Sequence, residues 1–200
     1  MPKAVLWDIG NVMVRWDPRT LYSKIYPDPV ERDRFLSSVC TMDWHIAHDL
    51  GVSFAENRAR LVARFPEHEP QIRAWQERWW EMFSGHIEET SEAIEALAAR
   101  GVPQFVLSNV SHEVIDGISA MIPAWPRLGG CLMSAESAIM KPDPRIFHQA
   151  CERFGHSPQE FLFVDDGAHN IEAARALGFD VHHFTDPSAL RPALEARGLL

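Results

Sequence analysis

Four short apolar runs, each stopping at a polar residue of a kind that does chemistry, constrain the fold of this chain more than any other feature. Ala4 to Trp7 ends at Asp8, Ile9, Gly10 and Asn11, Gln104 to Leu107 at Ser108 and Asn109, and Phe161 to Val164 at Asp165 and Asp166. The weaker Val181 to His183 precedes Phe184, Thr185 and Asp186, and a fifth, shorter candidate, Cys131 to Met133, stops at Ser134. Apolar runs of this length without alternation are how strands buried on both faces read, and such strands belong to parallel sheets. Between them lie helical patterns with clear punctuation: Thr90 to Arg100 closed by Gly101, and Ile171 to Leu177 closed by Gly178. Ser157, Pro158 and Glu160 open a further helical turn. Strands alternating with helices predict an α/β fold with a parallel sheet covered on both faces, and in such sheets the ligand sits outside the carboxyl ends of the strands.

The stretch from Arg15 to Glu88 breaks that alternation. It contains no convincing strand and several helical segments, Val30 to Cys40, Phe54 to Arg64 and Pro70 to Phe83. It is too long for a simple βα connection. The expected organisation is therefore a core made of residues 1–14 and 89–200 with a helical cap inserted over 15–88. With 46% of 200 residues hydrophobic, the chain can bury one core and a small inserted domain. Trp16, Asp17 and Pro18 form the expected turn into the cap, and a hinge there would let it close. Trp75, Trp79, Trp80, Met82 and Phe83 recur at helical spacing, which favours packing inside the cap over lining a pocket. Residues 187–200 predict a terminal amphipathic helix.

Charge and cysteine usage exclude several classes. A net charge of −9 with no basic run repels nucleic acid and acidic membrane surfaces. No uncharged apolar run reaches the roughly 18 residues of a membrane span. The ten histidines are scattered, and Cys40, Cys131 and Cys151 lack the pairing or spacing of a disulfide framework or a zinc site. Reduced thiols and an acid at position 8 predict a soluble, cytoplasmic protein without a signal peptide, a monomer or homodimer with a small molecule as its partner.

Singly, an Asp after a strand is as often a turn residue or a helix cap. Together the motifs say more: Asp8, Gly10, Asn11 and Val12, then Ser108 and Asn109, then Lys141, Pro142, Asp143 and Pro144, then Asp165 and Asp166 with Asn170 behind them. In this order and context the chain resembles the haloacid dehalogenase superfamily of hydrolases, over nearly its whole length. Its first motif is similar to that of the phosphatase branch with a small helical cap, which includes sugar-phosphate phosphatases. The resemblance implies a Rossmann-like core and a Mg²⁺ cofactor. Asp8 would be nucleophile and metal ligand, the Gly10 carbonyl a second ligand, and Asp166, supported by Asp165, the far side of the metal site. Ser108 and the Asn109 backbone N–H would hold the phosphoryl oxygens of a small phosphorylated substrate, and Lys141 would supply a point charge to them. The physical logic agrees, because a dianionic monoester resists a carboxylate until its charge is neutralised.

One position departs from that pattern. Most phosphatases of the superfamily carry a second Asp two residues after the nucleophile as general acid and base, and here that residue is Gly10. Asn11 has no titratable proton to offer. The leaving group could need little protonation, as with a sugar 1-phosphate or acyl phosphate; a cap residue could supply the proton; or turnover could be poor. In the cap, His45 and His48 lie close to Asp49 at helical spacing and are candidates to meet the substrate. Two further readings stay open: a metal-independent carbon–halogen hydrolase, for which Gly10 is permissive, and a phosphate-binding regulatory protein with weak catalysis.

Overall fold

The computed structural model describes residues 1–200. The chain runs through β1 (Ala4–Trp7), β2 (Val14–Trp16), α1 (Pro18–Tyr22), α2 (Pro29–Ser38), α3 (Met42–Asp49), α4 (Phe54–Arg64) and α5 (Glu69–Glu77). It continues through β3 (Phe83–His86), α6 (Glu88–Ala99), β4 (Gln104–Ser108), α7 (Ile115–Ala120), β5 (Cys131–Met133) and α8 (Ser134–Ser137). The last elements are α9 (Pro144–Phe154), β6 (Phe161–Asp165), α10 (Ala168–Ala176), β7 (Asp180–His183) and α11 (Leu190–Glu195). Five strands form one parallel sheet in the order β5-β4-β1-β6-β7. This is the α/β architecture that the alternating runs predict.

β1 is central, and its side chains divide between the two faces with the strand's period of two. Val5 and Trp7 join one buried cluster, and Ala4 and Leu6 the other, with Phe161, Phe163 and Ile171. The register sets the chemistry, because Trp7 lies level with Val106 of β4 and Val164 of β6. The residues that follow, Asp8, Leu107 with Ser108, and Asp165, therefore meet at one sheet edge. A buried hydrogen bond from Trp7 Nε1 to Gln104 Oε1, 3.2 Å, ties the central strand to β4.

The helices between β2 and β3 begin where their sequences say they should. Asp17, Asp28, Thr41 and Ser53 each accept a backbone N–H as N-caps, and Pro18 and Pro29 follow two of them. Two expectations need correction. The segment expected to lack strands opens and closes with an antiparallel ribbon, Val14 opposite His86 and Trp16 opposite Phe83. Strands of three and four residues are too short to show a period. The helix expected over 70–83 ends at Glu77, passes through a 3₁₀ turn at Trp79–Met82, and becomes β3. The terminal helix is likewise short, Leu190–Glu195 after a 3₁₀ turn.

Candidate active site

The floor of the site is a set of strand ends in which nearly every charge is answered. Asp8 Oδ1 accepts from Ser108 Oγ at 2.7 Å and from Lys141 Nζ at 2.8 Å. Lys141 Nζ also donates to Asp165 Oδ2 at 2.6 Å and to the Leu107 carbonyl at 3.0 Å. An ammonium has three protons, so all of them are engaged, and Lys141 is only 1% exposed. Asp165 is saturated too: its Oδ1 takes the Gly167 N–H and Asn170 Nδ2. The loop carrying Lys141 is clamped to the end of β4 by Asn109, which accepts from the Lys141 N–H at 2.8 Å and donates to its carbonyl at 3.0 Å. Burial works against the charge on Lys141, but Asp165 and Asp8 outweigh it and hold its pKa above the usual value. Burial pushes Asp8 up to about 6, against the pull of Lys141.

Asp8 Oδ2 is left without a protein hydrogen bond, and so is the Gly10 carbonyl. Carboxylate oxygens of Asp8, Asp165 and Asp166 lie within 4.8 Å of one another. Asp166 is raised by burial and by Asp165, with the Asn11 side chain as a stabilising neighbour. Asn170 Oδ1, buried beside these acids, has no donor. Crowded carboxylates, a free carbonyl and an orphan acceptor suited to a bound water are the oxygen set that a hard divalent cation takes. The residues present therefore fit Mg²⁺, with Asp8, Gly10 and Asp166 free to hold it and Asp165 committed to Lys141.

The roof comes from the helical segment and is mostly apolar. A cavity of about 180 Å³ lies between the two, walled by Trp16, Met42, Phe54, Trp79, Phe83 and Ile118. His45 packs against both Trp16 and Trp79, with ring centroids 5.2 and 5.6 Å away. Burial, then His48, pushes it down to about 3, so it is a neutral ring in the wall. His48 does not reach the cavity: it stacks on Phe54 at 4.0 Å and meets Asn57 Nδ2 at 3.2 Å. Asp49 does reach it. Its backbone carbonyl accepts from Ser134 Oγ at 2.6 Å, and Ser134 in turn accepts from the Val110 N–H, which fastens the end of α3 to the sheet edge. Gly51 permits this approach, since its φ is 93° and a Cβ there would meet the Ala135 carbonyl oxygen at 3.1 Å.

The family description haloacid dehalogenase-like hydrolase matches residues 2–178. The chain belongs to the haloacid dehalogenase-like hydrolase family. Among its relatives is the (S)-2-haloacid dehalogenase 4A of Burkholderia cepacia, 33% identical over 92 residues. That match spans 46% of this chain and only 40% of the relative's length. A sesquiterpene phosphatase of Aspergillus oryzae is 22% identical over 99% of this chain and 96% of its own. The phosphoglycolate phosphatase of Thiobacillus denitrificans is 25% identical over 90% and 81%. Among solved structures, a HAD family enzyme from Bacteroides thetaiotaomicron in complex with magnesium and inorganic phosphate has a TM-score of 0.72 at 21% identity, covering 95% of this chain and 99% of that one.

In this haloacid dehalogenase-like hydrolase, Asp8, Gly10, Ser108, Asn109, Lys141, His45 and Asp166 line the cavity, Asp165 lies directly beneath it, and His48 faces away. Two residues carry more than their sequence context suggested. Asn170 contributes an orphan acceptor to the floor, signalled only by its place behind Asp165 and Asp166. Asp49 is the other. Its signal was the four-residue spacing from His45, which puts the two on one helix face, whereas His48 is a quarter-turn round.

Proposed function

We propose that this hydrolase is a Mg²⁺-dependent phosphatase working through an aspartyl-phosphate on Asp8. The observation that carries the reading is the asymmetric hold on Asp8: Ser108 and Lys141 both take Oδ1, leaving Oδ2 free at the edge of the acid cluster. Lys141 thereby orients the nucleophile and compensates its charge. The cation supplies charge neutralisation of the phosphoryl oxygens when bound. The Asn109 backbone N–H, which donates to no protein acceptor, is free for a phosphoryl oxygen. The segment 15–88 acts as a cap that keeps water from the reacting centre.

The cavity favours this over carbon–halogen hydrolysis. A 2-haloacid carries a carboxylate, and recognising it needs a cation facing the cavity. Lys141 is the only Lys or Arg lining it, and its three protons are spent. Asp8 and Asp166 line the same space and repel a second carboxylate, including that of a phosphorylated hydroxy acid. Sugar hydroxyls would find few partners on the roof, so its aromatic wall favours a monoester of an uncharged, largely apolar alcohol. The full-length similarity to a sesquiterpene phosphatase supports that choice.

Incubation with farnesyl, hexyl and glucose phosphates and with 2-chloropropionate, with and without Mg²⁺, tests the reading. Phosphate release should need the cation and fall to the uncatalysed level in Asp8→Asn. Halide release without metal would overturn it. Tight phosphate-analogue binding with no turnover would favour a regulatory role.

A further inference from the structure

We infer that Asp49, delivered by the cap, is the general acid and base of this site, doing from the roof what a carboxyl two residues after the nucleophile does in related phosphatases. The inference rests on the phosphatase reading above. Position 10 cannot do the work, since glycine has no proton to give, and a search of the cavity lining for another donor leaves few choices. Lys141 has all three protons held by protein acceptors. Ser108 donates to Asp8, and a serine hydroxyl is too weak an acid for the role. His45 is neutral in its aromatic slot, its Nδ1 buried and without a partner. Asp166 is a candidate ligand of the cation.

Asp49 stands apart. It is 9% exposed, lines the cavity, and takes no hydrogen bond on its carboxylate; His45 Nε2, 3.8 Å from Oδ1, is too far to bond. Its backbone is held at the sheet edge by Ser134 and by the close approach at Gly51. The charged and titratable groups acting on it are Asp8 and Lys141 from the floor and neutral His45 on its own helix. Burial, then Asp8, pushes its pKa up to about 7, with Lys141 pulling the other way. An acid poised near neutrality is what proton transfer in both directions needs.

The steps balance. Asp8 Oδ2 attacks phosphorus, the bond from phosphorus to the ester oxygen breaks, and that oxygen leaves with its electron pair and takes the Asp49 proton, departing as the alcohol. In the second step water gives a proton to the Asp49 carboxylate as its oxygen attacks the same phosphorus. The bond to Asp8 then breaks, releasing inorganic phosphate and restoring both carboxyls. An apolar chamber makes the role necessary, because an alkyl alcohol is a poor leaving group and an apolar wall offers no other proton.

Position 10 supplies an unusual test, because a Cβ built there meets nothing within 4 Å. The experiment compares wild type, Asp49→Asn, Gly10→Asp and the double variant on hexyl phosphate and on p-nitrophenyl phosphate, whose leaving group needs no proton. Asp49→Asn should lose about 10²-fold in kcat on hexyl phosphate and less than about 10-fold on p-nitrophenyl phosphate. Turnover of the latter also shows that the variant is folded. Gly10→Asp should restore at least about 10-fold of the lost hexyl phosphate activity in the double variant. Equal losses on both esters, or no loss on either, would overturn the role of Asp49 while leaving the phosphatase reading intact. No metal-dependent release from either ester by wild type would overturn both.

Discussion

The floor and the roof of the cavity handle buried polar groups differently, although the floor too holds an orphan in Asn170 Oδ1. On the floor, Lys141, Asp165 and Asp8 Oδ1 are bound to one another or to backbone, so buried charge is tolerated because it is paired. In the roof, Trp16 Nε1, His45 Nδ1, Gln71 Oε1, Trp75 Nε1 and Trp79 Nε1 are all buried without a partner. Each such group forgoes a hydrogen bond it would have in water, at a cost of about 1–3 kcal/mol. The difference teaches that the two halves hold together by different means. The floor is an electrostatic lattice whose contacts are directional. The roof is a stack of aromatic rings whose contacts are non-directional and can adjust to what lies beneath.

The largest effect should come from breaking the lattice. Lys141→Met leaves Asp8 and Asp165 facing each other with no cation. It should cost about 3–5 kcal/mol in urea denaturation and abolish turnover; a loss under about 1 kcal/mol would mean the floor is not held electrostatically. Next comes acid sensitivity in the roof. The folded-state pKa of His45, about 3, lies below its ordinary 6.5, so the unfolded chain binds the proton first as pH falls. Stability present at neutral pH is thus lost between about pH 6.5 and 3, by a few kcal/mol for a shift of this size. His48, pushed down by burial to about 4, adds to the loss over part of that window. His45→Phe keeps the ring stack and should flatten the fall in Tm with acid; an unchanged acid limb would show that His45 is not the buried group that resists protonation.

The smallest effect separates the halves with one substitution. Trp7→Phe and Trp75→Phe both shrink a fully buried ring, but only the first strands a partner, Gln104 Oε1. Trp7→Phe should therefore be the costlier by about 1–2 kcal/mol in paired denaturation curves. Equal costs would erase the distinction between floor and roof.

The floor was also the more legible half. Strands buried on both faces write themselves as unbroken apolar runs, and their ends name the site residues without reference to any contact: Asp8, Ser108 and Asp165 converge because parallel strands point the same way. Roles were harder to read than positions. Lys141 reads as a free charge in sequence, and only the geometry shows its three protons consumed by Leu107, Asp8 and Asp165. Asp165 reads like Asp166, yet one is saturated and the other open. The roof hid more. The β2–β3 ribbon is shorter than any periodicity, and whether His45, His48 or Asp49 faces the cavity depends on how α3 is rotated, on which Ser134 and Ala135 bear from a distance in sequence.

Asn11 joins the two halves. Held at a φ of 54°, which non-glycine residues seldom adopt, its Oδ1 accepts from the Trp16 N–H at 3.1 Å, and the same side chain is the stabilising neighbour of Asp166. Thermodynamic linkage runs both ways through such a joint. A cation that draws on Asp166 bears on the anchorage of the first roof strand, and a roof settling over its substrate bears on the cation by the same free energy. Any cation held at Asp166 and any ligand held beneath the roof would then be linked through one amide.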